Sequence, residues 1–147
     1  MALRSPSPAV APPLTLGLTT PRLVLRPPRP TDVPVLRAHL RRSADHLRPF
    51  SPSAPPGEDP ASLTQLSRLV VRYRREWRRG SGYAFLAFGL GPDVPLVARI
   101  TLSRIARGSL QEAHLGYAVD VDHGGQGYAT EAADAVVRFA FDTLGLH

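Results

Sequence analysis

The stretch "DHGGQGYATEAA", residues 122–133, is the part of the sequence that most restricts the fold. It places Gly124, Gly125 and Gly127 between a strand-like segment, "AHLGYAVDV", and residues with helical spacing. A glycine loop that opens a helix can direct unpaired N–H groups into one concavity, where an anion binds. A tight turn needs the same glycines. The glycine pattern alone therefore predicts either a phosphate site or a simple turn.

The two best-known phosphate loops do not fit this stretch. A P-loop requires a lysine after its last glycine, and all 18 basic residues of this chain are arginines. A dinucleotide fingerprint requires Gly-x-Gly-x-x-Gly after the first strand of a βαβ unit, and this loop follows the last predicted strand. Any anion site here must therefore be of another kind.

The rest of the chain alternates between segments of strand and helix character. A first strand is predicted over residues 22–28, and a helix follows that Thr31 or Asp32 can cap. Further strands are predicted at "YAFLAFGL", "PLVARITLSRI" and "AHLGYAVDV", with the turn "GPD" between the first two of these. A last helix is predicted over residues 127–144. This order indicates an α/β or α+β protein with helices packed on a sheet.

The most regular helical pattern covers residues 62–79, before Gly80 and Gly82 end it. Its apolar stripe has helical spacing and consists of Leu63, Leu66, Val70, Tyr73 and Trp77. Away from the stripe lie six arginines, namely Arg68, Arg72, Arg74, Arg75, Arg78 and Arg79. They could grip the phosphates of a nucleic acid or simply form a solvated outer face.

Composition bounds the class of protein. The 147 residues suit one domain, which we expect over residues 19–147 after a mobile, Pro-rich tail at residues 1–18. The absence of cysteine excludes disulfides and a cysteine nucleophile, and no apolar run is long enough to span a membrane or form a signal peptide. We therefore expect a cytoplasmic protein without a membrane partner. The net charge of +6 either favours an anionic partner or reflects arginine-rich composition.

The glycine loop and its surroundings resemble the acetyl-CoA loop of the GNAT N-acetyltransferases. The family motif, Arg/Gln-x-x-Gly-x-Gly/Ala, falls on residues 124–129 of "GGQGYATEA", after "HLGYAVD". The segments "TPRLVLRPPRPTDVPVL", "HLRPFSP", "RYRREWRRGSGYAFLAF" and "RITLSRIARGSLQEAHLGYAVD" are similar, in order, to the RimJ/RimL group and within it to the RimJ type. The resemblance covers residues 19–147.

The resemblance implies a fold, a reaction and a set of contacts. The fold would be α/β (α+β), a mixed and largely antiparallel sheet with helices on both faces. The reaction would transfer acetyl from acetyl-CoA to an amine, above all the α-amino group of a ribosomal-protein-like N-terminus and otherwise a small amine. Ribosome association is expected, but no metal and no DNA. Backbone groups would hold pantetheine at Val119 and Val121. Those holding the pyrophosphate would be Gly124, Gly125, Gln126, Gly127, Tyr128, Ala129 and Thr130.

Two departures from the family pattern stand out. Gly124 occupies the position of the motif's leading Arg or Gln, so a side-chain contact is lost and weaker cofactor binding is expected. The sequence also stops before the family's fifth strand and the elements after it, so we expect a domain incomplete at its C-terminus. The resemblance therefore leaves two alternatives, an inactive truncated fragment and an arginine-rich RNA-binding or ribosome-binding module.

Candidate catalytic residues lie on the last predicted strand. His114 and Glu112 are the candidate general bases, since imidazole titrates near neutral pH and a carboxylate can also take a proton. Glu131 sits where it favours the helix dipole, and His123 is a candidate phosphate contact. Tyr117 is predicted to face the core. The five histidines show no metal-ligand spacing.

Overall fold

The computed structural model describes residues 11–43, 59–91, 95–106 and 112–145. These residues form one five-stranded antiparallel sheet in which the strands lie in chain order. The strands are β1 (Leu18–Thr19), β2 (Leu23–Arg26), β3 (Tyr83–Gly89), β4 (Leu96–Ala106) and β5 (Glu112–Val119). The fold class is confirmed, and every described strand pair is antiparallel. The two-residue strand β1 has no sequence signal, and the predicted turn "GPD" lies mostly outside the described residues.

Within the described residues, three helices cover the two faces of the sheet, as the sequence predicts. They are α1 (Val33–Arg42), α2 (Leu63–Arg79) and α3 (Tyr128–Asp142). Leu36 of α1 and Leu66 of α2 pack with Leu86 on one face. Val136 and Phe139 of α3 pack on the other face, against the cluster that β2, β3 and β4 build. The helix predicted over residues 127–144 ends earlier, at Asp142, and Thr143 beyond it is exposed.

Helix boundaries follow local chemistry. The Ser62 hydroxyl accepts a hydrogen bond from the Gln65 N–H at 3.2 Å, and Gly80 ends α2 with φ of +71°. Asp32 is the N-cap residue of α1, yet its side chain makes no capping bond to that helix. Its carboxylate instead accepts two hydrogen bonds from the Arg26 guanidinium, at 2.7 and 2.8 Å. Capping of α1 by the Asp32 side chain was therefore a wrong prediction.

Trp77, at the end of α2, ties the aromatic core to the N-terminal segment. Its ring stacks on Phe139 at 5.9 Å and meets Tyr83 edge-on at 4.9 Å. The indole N–H donates to the Pro12 carbonyl at 2.6 Å, and Leu14 packs partly buried against the same core. Residues 1–10 of the predicted tail lie outside the described residues.

The last described strand, β5, forms an edge of the sheet within the part of the chain that the structure describes. Tyr117 pairs with Ile100 and shares its face, but Tyr117 is 61% exposed while Ile100 is fully buried. The prediction that Tyr117 packs in the core was therefore wrong. The alternation assigned it to the correct face, but α3 covers β4 and does not extend over this part of β5.

Candidate functional site

The glycine loop leaves β5 at Asp120 and ends at the first turn of α3. A 3₁₀ turn, Val121–His123, precedes the glycines. Gly125 and Gly127 have φ of +74° and +78°, a backbone conformation that favours glycine. The first helical hydrogen bond runs from the Glu131 N–H to the Gly127 carbonyl at 3.1 Å. The first-turn N–H groups before Glu131 thus have no intrahelical acceptor and are suited to an anion.

The first brace of the loop comes from the end of α1. The fully buried carboxylate of Asp120 lies 2.9 Å from His39 Nδ1 and accepts a hydrogen bond from Arg42 at 2.7 Å. The same carboxylate accepts a hydrogen bond from the Asp122 N–H at 3.1 Å. The buried Ser43 hydroxyl accepts a hydrogen bond from the Val121 N–H at 3.0 Å. One turn of α1 therefore fixes the start of the loop.

Electrostatics in this brace favour a charged Asp120 and a neutral His39. Burial alone would raise the pKa of Asp120, but the hydrogen bonds from Arg42 and His39 outweigh it and lower the pKa to about 2. Burial lowers the pKa of His39, and its bond to Asp120 offsets this only in part. His39 Nδ1–H then donates to Asp120, and His39 Nε2 has no hydrogen-bond partner among the described residues.

The second brace holds the loop's other end through Arg22. Its Nε atom lies 2.7 Å from Glu131 Oε1, and another guanidinium N–H donates to the Gln126 carbonyl at 2.8 Å. The guanidinium also lies 4.2 Å from the centre of the Tyr128 ring. Glu131 further accepts the Thr20 hydroxyl. Burial acts to raise the pKa of Glu131, but the bonds from Thr20 and Arg22 lower it overall.

The candidate catalytic residues occupy the far half of β5. His114 pairs with Ser103 of β4, and Glu112 lies two residues earlier on the same face, beyond a register shift in β4. Both side chains are exposed. Val119 pairs with Ala98 near the loop, where pairing ends. The catalytic roles of His114 and Glu112 stay predictions, and so does the binding of pantetheine at Val119 and Val121.

Around the loop, the predicted phosphate contact His123 has a ring centroid 6.1 Å from that of Tyr128. Its Nδ1 atom lies 3.4 Å from Asp120 Oδ1, so this side of the ring faces inward. The carboxylate of Glu131 stands in the first turn of α3, as expected for the dipole, and also forms the second brace. The proposed anion contacts of residues 124–130 are untested predictions.

Two classes of site find no support in the described part of the chain. No group of three His, Asp or Glu side chains is placed to hold a metal ion there. None of the helices in these ranges is long and apolar enough to cross a membrane.

The predicted arginine face of α2 is mostly solvent-exposed. Five of its arginines (Arg68, Arg72, Arg75, Arg78 and Arg79) are exposed, whereas Arg74 donates a hydrogen bond to the Pro28 carbonyl at 2.9 Å.

Comparison with protein families assigns most of the chain to one family. A family model described as an acetyltransferase (GNAT) domain matches residues 22–147. The chain is 36% identical over 80 residues to the "Probable N-acetyltransferase YjcK" of Bacillus subtilis (strain 168). That alignment covers 54% of this chain and 44% of the relative, so the matched region spans less than half the length of this curated relative.

Solved structures show the same fold. RimJ of Mycobacterium smegmatis in complex with CoA-disulfide superposes with a TM-score of 0.75 and 26% identity, over 85% of this chain and 59% of that chain. The ribosomal-protein-S5-alanine acetyltransferase of Vibrio fischeri superposes with a TM-score of 0.80 over 90% of this chain and 70% of that chain. Its identity is 16%, so this likeness concerns the fold alone.

Proposed function

This chain belongs to the GNAT family of acetyltransferases, and we propose that it transfers an acetyl group from acetyl-CoA to the α-amino group of a protein N-terminus. The observation that carries the proposal is the glycine loop. The first brace holds its start and the second brace holds its end, and it follows β5, whose outer edge is unpaired within the described residues. Neighbours in the fold bear names that point to ribosomal proteins as acceptors and to CoA as ligand. We place the activity in the cytoplasm, with ribosomal-protein-like N-termini as the acceptor class and association with the ribosome.

In this proposal the cofactor lies along β5 and ends in the loop. The backbone of Val119 pairs with the pantetheine amides, because the outer edge of β5 is open in the described part of the chain. Val121 contributes its carbonyl, because its N–H already donates to the Ser43 hydroxyl. The pyrophosphate accepts hydrogen bonds from the backbone N–H groups of residues 124–130, at the positive end of the α3 dipole. Acetyl-CoA supplies an activated acetyl group as a thioester.

The chain's own residues would serve the transfer through proton movement and positioning. His114 or Glu112 takes a proton from the acceptor ammonium, directly or through water, which frees the nitrogen lone pair. The nitrogen then bonds to the acetyl carbon, the carbon–sulfur bond breaks, and the nitrogen loses its second proton as the thiolate of CoA takes one up. A backbone N–H of β5 near Val119 stabilises the charge that develops on the acetyl oxygen. Holding amine and thioester side by side contributes much of the rate.

Calorimetric titration of acetyl-CoA into the 147-residue chain tests the cofactor half of this proposal. Gly127→Ala should weaken binding, since φ is +78° there and the added Cβ would lie 3.4 Å from the Arg22 guanidinium. Gly124→Ala is the matched control and should bind acetyl-CoA at least as well as wild type, since its φ is −68° and a Cβ would meet only Val121 O at 3.9 Å. Wild-type protein that binds no acetyl-CoA would overturn the proposal. An acceptor screen with N-terminal peptides then tests transfer.

A second candidate function rests on the exposed arginines of α2. Arg68, Arg75 and Arg79 follow one another at helical spacing over roughly 16 Å, at 1.5 Å per residue, which suits a row of phosphates. RNA binding that weakens steeply with salt, and is lost in Arg68→Glu with Arg75→Glu, would support an RNA-docking function. Arg138→Glu, which reverses an exposed charge on α3, is the matched control.

A further inference from the structure

We propose that a cavity between α2 and β4 is the pocket that receives the first residue of the acceptor, with Glu76 binding its ammonium group. The inference rests on the proposed function and adds the acceptor site to it. The cavity has a volume of about 250 Å³, and the residues that line it include Glu76 and Tyr73 from α2 and Thr101 and Ser103 from β4. None of these residues belongs to the cofactor loop or its two braces.

The position of the cavity follows from strand register. Thr101 pairs with Gly116, and Ser103 pairs with His114, so the β4 wall of the cavity lies beside the candidate base on β5. Directly paired residues in an antiparallel sheet have Cβ atoms about 5 Å apart and point to the same face. His114 therefore stands at the cavity's margin, on the face that carries α2. An amine held in the cavity would lie next to the strand along which the thioester is proposed to run.

Gly116 of β5 lies directly against the β4 wall of the cavity. A Cβ at this position would lie 3.0 Å from the Thr101 hydroxyl, closer than side chains normally approach. The Thr101 hydroxyl therefore occupies the space over Gly116, and a side chain at this position would displace Thr101 and change the shape of the cavity wall.

Glu76 has the charge and the freedom to bind an ammonium group. Arg72 Nε lies 3.8 Å from Glu76 Oε1, beyond hydrogen-bond distance, and the Glu76 side chain is 39% exposed. The carboxylate lies over Gly82, where a Cβ would come within 3.0 Å of Oε2. Gly82 thus gives the carboxylate its place at the cavity. A partly exposed carboxylate whose ion pair within the described part of the chain is this long remains available for a ligand cation.

The size of the cavity selects the ligand. About 250 Å³ is below the range of about 300–1,000 Å³ that is typical of pockets for drug-sized ligands, so it suits one residue and not a long segment. The buried side of the cavity includes Ala84 of β3, which is 3% exposed. The cavity therefore fits a small N-terminal residue whose ammonium meets Glu76 at the rim, while the rest of the peptide leaves toward solvent.

Direct binding of peptides tests this site without requiring turnover. A peptide with a free N-terminal alanine and a C-terminal fluorophore is titrated with the protein, in the presence of CoA and in its absence, and anisotropy is recorded. The same peptide with an acetylated N-terminus, and one beginning with tryptophan, serve as comparisons. We expect the free alanine peptide to bind at least about tenfold more tightly than both, because a charged contact is worth roughly 1.5–3 kcal/mol.

Glu76→Gln should weaken binding of the free peptide about tenfold and abolish the discrimination against the acetylated peptide. Asp134→Asn, which removes an exposed carboxylate on α3, should leave both unchanged. Calorimetry with acetyl-CoA should give the same affinity for Glu76→Gln and wild type, which separates this site from the cofactor site. Equal binding of free and acetylated peptides, no peptide binding in either condition, or an unaltered Glu76→Gln variant would each overturn the assignment.

Discussion

The Nδ1 atom of His39 lies 2.9 Å from Oδ2 of Asp120, and both side chains are fully buried. This contact joins the last turn of α1 to the first residue after β5, which are 81 positions apart in the chain. Because Asp120 also accepts the Asp122 N–H, the contact sets the direction in which the glycine loop starts. A buried histidine and a buried carboxylate thus control the entrance to the proposed cofactor site.

We expect the stability of the protein to fall as the pH drops below 6.5, the ordinary pKa of histidine. Burial lowers the pKa of His39 in the folded state, so the unfolded chain binds a proton at higher pH than the folded chain does. Thermal unfolding at about pH 7.5 and about pH 5 measures the effect. The drop should be smaller in His39→Gln, which cannot titrate. An equal drop in both proteins would contradict the prediction.

Asp120→Asn should destabilise the protein by roughly 2 kcal/mol near neutral pH, because the lowered pKa of Asp120 reports a favourable charged state in the fold. The wild-type contribution is present above the ordinary pKa of 3.8 and disappears as the pH falls toward about 2. Urea unfolding at neutral pH measures the loss. Asp134→Asn is the exposed control. A variant as stable as wild type would show that the buried contacts contribute little net stability.

Local sequence patterns predicted the elements of the fold but not the two braces. Leu66, Val70 and Trp77 of the predicted apolar stripe are buried, because helical spacing determines which face of α2 meets the sheet. Leu63, the first residue of α2, is exposed and Tyr73 is half-buried, so the stripe was wrong at Leu63. His39 and Ser43 carried no such signal. They matter only because the fold brings the end of α1 to a loop some 80 residues later, and long-range contacts of this kind leave no trace in local periodicity.

In the candidate site, too, local features were predictable from the sequence and long-range contacts were not. The helix-opening glycines, with Gly125 and Gly127 in the left-handed region, were predictable from the local pattern and the resemblance to a family. Tyr117 was misassigned because alternation gives the face of a strand but not the extent of the helix that covers that face. The position of Glu131 in the first turn was apparent from sequence, whereas its bond to Arg22 depends on how the β1–β2 turn packs.

Arg22→Ala should weaken acetyl-CoA binding about fivefold while changing stability by less than about 1 kcal/mol. The ion pair with Glu131 is partly exposed, so its direct stabilisation is small. Losing the bond to the Gln126 carbonyl frees the loop, and ordering it again on binding costs about 1 kcal/mol. Calorimetry and urea unfolding measure the two quantities, with Arg138→Ala as the control. Large destabilisation with unaltered affinity would contradict a loop-bracing role for Arg22.

Gly124→Arg should tighten acetyl-CoA binding without harming the fold. Gly124 has φ of −68° and ψ of 152°, which any residue adopts, and a Cβ there would have Val121 O as its nearest neighbour at 3.9 Å. The substitution restores the arginine of the family motif, removes about 0.5–1 kcal/mol of glycine flexibility and adds a guanidinium that can bind the pyrophosphate. Together these effects should raise affinity by a factor of about five to ten.

The control for the expected gain in acetyl-CoA affinity is Gly125→Arg, which adds the same charge one residue later. Gly125 has φ of +74°, so a side chain there strains the backbone even though the surrounding space is open. We expect Gly125→Arg to bind acetyl-CoA no better than wild type and to unfold at a lower temperature. If both variants gained affinity equally, long-range charge alone would explain the effect, and the alignment of Gly124 with the motif's arginine would be incorrect.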